Sequence, residues 1–389
     1  MSGWGIAMLE NKYFLYLLFA LMPASILGVI NCSPSDNIQT RNEPPTIEQV
    51  ASYEPQPPDE NALFRIWVDS DYGFMDRNGN VVISPQFNHV EPFSNGLARV
   101  SSLNEACCDW GFIDRTGEYV IETQFITVHD FSDGLALFNS GRWNTDKWGY
   151  IDTTGAIVIE PTYLYSLDFY EGLARVVINN KVGFIDHTGE FAIEPNFDGA
   201  GDFCGGLAPV RIGDRKTGKK GYIDPTGAIV IDLLFDAAFD FTDDGLALVA
   251  KGNKCGFIDR TGEYVIYPQF TNVRDFSNGL ARVIIDDKWG FIDLTGKIVI
   301  RPQFYEAWDF SDDGLARVQI NDRMTGEYAY IDRTGAFAFD GRFDKAWDFV
   351  DGLALVNIGE KWGYIDRVGN FVWETTEEPR FIYMFGGGL

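Results

Sequence analysis

The 389-residue chain predicts an all-β protein, a nine-copy array of three-stranded antiparallel units. Three observations predict it. A core of the type Trp-Gly-Phe-Ile-Asp returns with its glycine at Gly73, Gly111, Gly149, Gly183, Gly221, Gly256, Gly290 and Gly363, and with Ala329 in one copy. The steps between copies are 38, 38, 34, 38, 35, 34, 39 and 34 residues, the range in which one supersecondary unit repeats. Each unit holds three short runs rich in β-branched and aromatic residues, bounded by turn residues.

The array is expected over residues 61–378, between two segments of other character. Residues 1–32 place Lys12 before an apolar run from Tyr13 to Ile30. This predicts an export signal or a membrane anchor. Cys32 follows the run and resembles a bacterial lipoprotein processing site, so it is the candidate lipid-attachment residue. A plainly cleaved signal and a retained anchor are the alternatives. Residues 33–60 are rich in Ser, Pro, Asn, Glu and Gln, too poor in apolar groups to build a core, and read as a disordered linker. Residues 379–389 are a C-terminal tail.

Within a unit, the copy around Gly290 shows the elements. The strands are Leu280–Ile285, Lys288–Asp293 and Lys297–Arg301. The link Asp286-Asp287 has counterparts in Asn179-Asn180, Gly252-Asn253 and Gly359-Glu360. Two-residue links of this composition suit tight hairpins that need positive φ. The second link is Asp-x-Thr-Gly, as at Asp114 to Gly117 and Asp293 to Gly296. It predicts a type I turn closed by a left-handed glycine, with the Asp bonding its own turn backbone. A connection through Pro-Gln-Phe and Asp-Phe-Ser-Asp-Gly leads to the next unit.

Alternation puts Trp289, Phe291 and Asp293 on one face and Gly290 and Ile292 on the other. Both faces carry apolar groups, so each sheet is expected to pack against neighbours on both sides. Pairing places Gly290 opposite Val283, where a missing side chain would relieve crowding beside the Trp. Two-sided packing fits a propeller-like closure, and an open β-solenoid is the alternative. Against closure, the first and last copies each own three strands, so no exchange of a terminal strand is expected.

Length variation enters mainly at one hairpin. From the Val of the first strand to the core position the distance is 7 residues in four copies and 11 in four others. An even insertion leaves the alternation of both strands intact. The long tips are Ser101–Cys108, Asn139–Lys147, Arg211–Lys220 and Gln319–Glu327. One carries Cys107 and Cys108, one Trp143, and one is basic. Insertions confined to one loop mark one rim, which in repeat proteins is often the binding side.

Lys-Trp-Gly-Tyr-Ile-Asp at 147–152 and 361–366, the Thr-Gly turn, the Pro-x-Phe and the Asp-Phe-Ser-x-Gly-Leu-Ala segments resemble the bacterial WG repeat. Departures at the Trp position are Tyr72, Val182, Lys220, Cys255 and Tyr328. The resemblance implies an all-β repeat and supplies no catalytic residues.

Chemistry is sparse. The three histidines, His89, His129 and His187, hold unrelated positions in the repeat, which suggests no metal cluster and three solvated loop residues. Cys107, Cys108, Cys204 and Cys255 fit neither a zinc pattern nor a redox pair, and one long-range disulfide is open to an exported chain. Asp309-Phe-Ser-Asp-Asp-Gly314 lacks the ligand spacing of a calcium loop and reads as a turn. Nine copies of the Asp in Phe-Ile-Asp argue for a structural role. Neither a catalytic residue, a metal ligand nor a cofactor is therefore expected. The net charge of −26 repels nucleic acid, and the membrane is met only through the N-terminus. The expected function is non-catalytic protein binding or scaffolding in the cell envelope. The alternative is a carbohydrate or cell-wall binding module, decided by whether Trp110, Trp148, Trp289 and Trp362 are exposed.

Overall fold

The computed structural model describes residues 55–102, 110–139, 147–321 and 326–379. These residues form nine small antiparallel sheets and no helix. Each sheet is a blade of a nine-blade β-propeller, numbered one to nine along the chain. The first begins at Phe64 and the ninth ends at Thr375.

The first two expected strands are present with the expected register, while the third runs Ile298–Phe304, through the Pro-Gln-Phe expected as a connection. In blade seven, Leu280–Ile285 pairs with Lys288–Asp293, and Val283 stands opposite Gly290. Asp286 and Asp287 at the tip have φ of 50° and 58°. Asp293 Oδ1 accepts from the Thr295 amide at 2.9 Å, its hydroxyl at 2.5 Å and the Lys297 amide at 3.1 Å. Gly296 closes that turn at φ 81°, where a Cβ would strain.

Seven blades carry a fourth strand, which corrects the three-stranded unit. It lies in the expected connection, as Val273–Ser277 in blade seven, and pairs Val273 with Val283 and Phe276 with Ala281. These strands are two to five residues long; the short ones are residue pairs such as His89–Val90, and the long ones carry an Asp and a register shift. Neither feature reads as a strand from periodicity.

The core glycine has a different cause from the expected one. Trp289 pairs with Phe304 but Phe291 with Ile300, so the outer strand bulges by two residues. That bulge brings backbone over the glycine. A Cβ on Gly290 would lie 2.6 Å from Ile300 O and 2.6 Å from Pro302 N. The same approach recurs over Gly73, Gly111, Gly149, Gly183, Gly221 and Gly256. Blade eight has Ala329 there, and its outer segment makes only the isolated bridges Tyr328–Phe343 and Ile331–Phe337.

Both faces of a blade are buried, as the two-sided pattern requires. Trp289, Phe291 and Ile300 of blade seven pack with Ala307, Val318 and Ile331 of blade eight. Val283 and Ile292, on the opposite face, pack with Leu248 and Phe257 of blade six. The last interface closes the ring. Phe64, Trp67 and Phe74 of blade one share a core with Leu353, Trp362 and Tyr364 of blade nine. Trp67 Nε1 donates to Glu377 O at 2.8 Å, and Arg77 donates to Asp351 O at 2.7 Å. Every sheet keeps its own strands, so closure rests on side chains rather than on an exchanged strand.

Candidate interaction surface

Two features of the ring repeat at fixed positions and differ in chemistry from blade to blade: the variable hairpin tips and the carboxylates of the innermost strands.

The tips share one edge by construction. Each lies between the second and third strands of its blade, and the ladder runs to its base in every case described. Ser101 pairs with Trp110, Asn139 with Trp148, Ile212 with Lys219, and Gln319 with Tyr328. Cys107, Cys108 and Trp143 lie outside the described residues, as does Cys32. The basic tip is described throughout. Asp198 fixes its base, accepting from the Gly213 amide at 2.8 Å and from Lys181 of the preceding blade at 2.7 Å. Asp236 does the same one blade on, for Gly252 and Lys219. These partners hold both carboxyls below the ordinary Asp range, the lysine hydrogen bond first.

The innermost strand, or the two residues after it, places an Asp at one position in seven blades: Asp130, Asp168, Asp202, Asp240, Asp275, Asp309 and Asp348. A cation from the preceding blade meets most of them. Arg175 grips Asp202 through two bonds of 2.6 and 2.9 Å, and Arg282 grips Asp309 likewise. Arg99 meets Asp130, Arg317 meets Asp348, and His129 meets Asp168 at 3.0 Å. Pro209 and Leu248 stand where the arginine would serve Asp240 and Asp275. Both of these carboxylates keep a buried oxygen without a hydrogen-bond partner. Burial, with the charge of Asp202, pushes Asp240 up to about 7. Burial, with the charge of Asp309, pushes Asp275 up to about 6. This ring went unseen in the sequence because the Asp-Phe-Ser segment reads as a turn. A fixed Asp four residues before each Gly-Leu-Ala or so was the available signal.

The histidines are not all solvated, contrary to expectation. His89 is buried, 3.3 Å from Glu91 and edge-on to Trp110. His129 is the half-buried partner of Asp168. Only His187 is exposed, stacked on Phe169. Cys204 is disulfide-bonded and buried, and Cys255 is a half-buried free thiol. Among the described residues no group of three or more His, Cys, Asp or Glu could hold a metal. Of the four tryptophans, Trp289 and Trp362 are buried and Trp110 and Trp148 half-buried.

A family model described as WG containing repeat matches eight segments: residues 72–104, 110–141, 148–181, 183–215, 221–255, 256–289, 289–323 and 328–362. No curated protein matches. Among solved structures, one titled "Crystal structure of the eukaryotic initiation factor" is similar at a TM-score of 0.56 and 13% identity, covering 81% of this chain and 96% of that chain. The dihydro-heme d1 dehydrogenase NirN in complex with DHE is similar at 0.39 and 12%, covering 84% and 75%. Hsv2p of Kluyveromyces lactis is similar at 0.36 and 10%, covering 60% and 89%. At such identities the first likeness concerns the fold alone, and the other two carry no argument.

Proposed function

From the premise that this chain belongs to the WG containing repeat family, we propose that it is a non-catalytic scaffold of the cell envelope that binds a protein partner through the rim of hairpin tips. The observation that carries this reading is where the repeats differ. The frame of strands, turns and core glycines is nearly constant, while length and chemistry change at one edge. A surface that varies on a fixed frame suits selective recognition. The repeated Asp of the Asp-x-Thr-Gly turns supports a role without catalysis, because one of its oxygens, Oδ1, is taken up by local amide and hydroxyl donors. Export rests on residues 1–32 with Cys32 as lipid acceptor, all outside the described residues. The burial of Trp289 and Trp362 removes the main support for sugar stacking, so the carbohydrate reading is second.

The test is to shorten the tips of blades two and three by four residues each, to the length of the short copies. Melting should barely change, since closure entropy grows slowly with loop length. Capture of the partner from an envelope extract should be lost. A folded, trimmed chain that captures the same partner would remove the rim from consideration.

A further inference from the structure

The tips of blades four to six reverse the charge of the molecule. Residues 179–181, 211–220 and 251–254 hold eight cationic residues and one acidic residue, in a chain of net charge −26. Three cations are already committed: Lys181 to Asp198, Lys219 to Asp236, and Arg211 to backbone carbonyls of Asp198 and Gly213. Arg215, Lys216, Lys251 and Lys254 have no ion-pair partner among the described residues, and the first three are exposed.

The strand pairing adds an independent observation. Arg211 stands directly opposite Lys220, and one blade on Lys251 stands directly opposite Lys254. Like charges facing each other across a ladder destabilise it. At the positions of Lys251–Lys254 other blades join an apolar residue to the cation, as in Ile178–Lys181, Ile285–Lys288 and Ile358–Lys361, and at the positions of Arg211–Lys220 they hold uncharged pairs, as in Val177–Val182 and Ile284–Trp289. The repulsion is felt: burial first, and the charge of Arg211 second, lower the Lys220 ammonium from its ordinary range. Two adjacent tips thus retain a repulsion that an anion would relieve.

The shape of the rim favours one class of anion. The tip of blade five is four residues longer than those of blades four and six, so it stands above them. A flat lipid surface would reach the tall tip first, whereas an extended chain could lie along the lower tips beside it. Ile212 is 44% exposed on the tall tip and Leu234 61% exposed on the outer strand of the same blade, both open to apolar side chains. We propose that the tips of blades four to six dock an extended, acidic polypeptide segment of a partner protein. The proposal rests on the rim reading for its edge and adds the sector and the chemistry of the ligand.

The test uses the full chain and a fluorescent peptide in which glutamate alternates with leucine and glycine. Anisotropy should show binding that weakens as salt rises from about 50 to about 200 mM, as screening tightens. A matched lysine peptide should not bind. The variant R215E/K216E/K251E/K254E alters exposed or half-exposed groups that tie no blades together, so its melting should hold. Its affinity for the acidic peptide should fall at least tenfold. No binding by the parent chain at low salt would overturn the proposal, as would equal binding by the folded variant. Binding to phosphatidylglycerol vesicles without binding to the peptide would overturn it in favour of a membrane. The variant keeps the tips of blades two and three, so retained capture of the envelope partner with lost peptide binding would separate the two readings.

Discussion

Gly290 and Asp240 show how much a single side chain decides here. Gly290 lies under the bulged outer strand, where any Cβ would meet backbone at 2.6 Å. Backbone cannot swing aside as a side chain can. Gly290→Val should therefore cost about 3 kcal/mol or more, the upper end of what overpacking typically costs. Lys288→Val, at the half-buried foot of the tip, should stay within about 0.5 kcal/mol. Denaturant midpoints of the two variants check the difference, and equal midpoints would refute the packing. Asp240 makes a prediction in pH. Its carboxyl is raised to about 7 and that of Asp275 to about 6, so the fold binds their protons more tightly than the unfolded chain does. Their stabilising contribution is complete below about pH 4, declines as pH rises, and is gone above about pH 7. Carboxyls held low by turn hydrogen bonds, such as Asp114 and Asp186, act in the opposite sense as pH falls through the acid range. Stability should therefore peak at mildly acidic pH. Asp240→Asn should flatten the decline between pH 5 and 8 in melting experiments; an unchanged slope would show that Asp240 is ionised in the fold.

At the scale of the element, the blade was legible in part. The first two strands, both turns, the register of Val283 against Gly290 and the two-sided burial all follow from alternation and turn residues. The innermost strand was not legible, because two residues, or five with an embedded Asp, carry no clear period. The outer-strand bulge was missed for a similar reason, since Pro302 reads as the end of a strand. In place, the proline has a second effect. Pro85, Pro161, Pro195, Pro268 and Pro302 each leave the outermost strand of their blade one amide donor short, which suits an edge that should not pair with another. Pro302→Val should leave melting within a few degrees yet raise the tendency to aggregate on concentration, read by light scattering. Unchanged scattering would show that the exposed apolar residues of these strands, Ile298 and Val299 among them, are protected some other way.

For the whole molecule, the sequence left closure undecided, because no terminal strand is exchanged and contacts between the first and last copies have no local signature. The structure closes the ring through one buried interface and a few hydrogen bonds. Trp67 packs on Trp373 at 4.9 Å between ring centres, and the Asp69 amide donates to Glu377 at 3.2 Å. The shared rim, the ring of carboxylates and the basic sector all presuppose that closure, since each is defined by the order of blades around it. The distance between the chain's two ends tests it most directly. Spin labels at Ser70 and Thr376, read by pulsed dipolar spectroscopy, should give one narrow distance of about 20 Å or less, set by the label arms across a closed interface. An open stack of nine sheets about 10 Å apart would separate its ends by roughly 80 Å, and a distance in that range, or a broad distribution, would contradict the propeller.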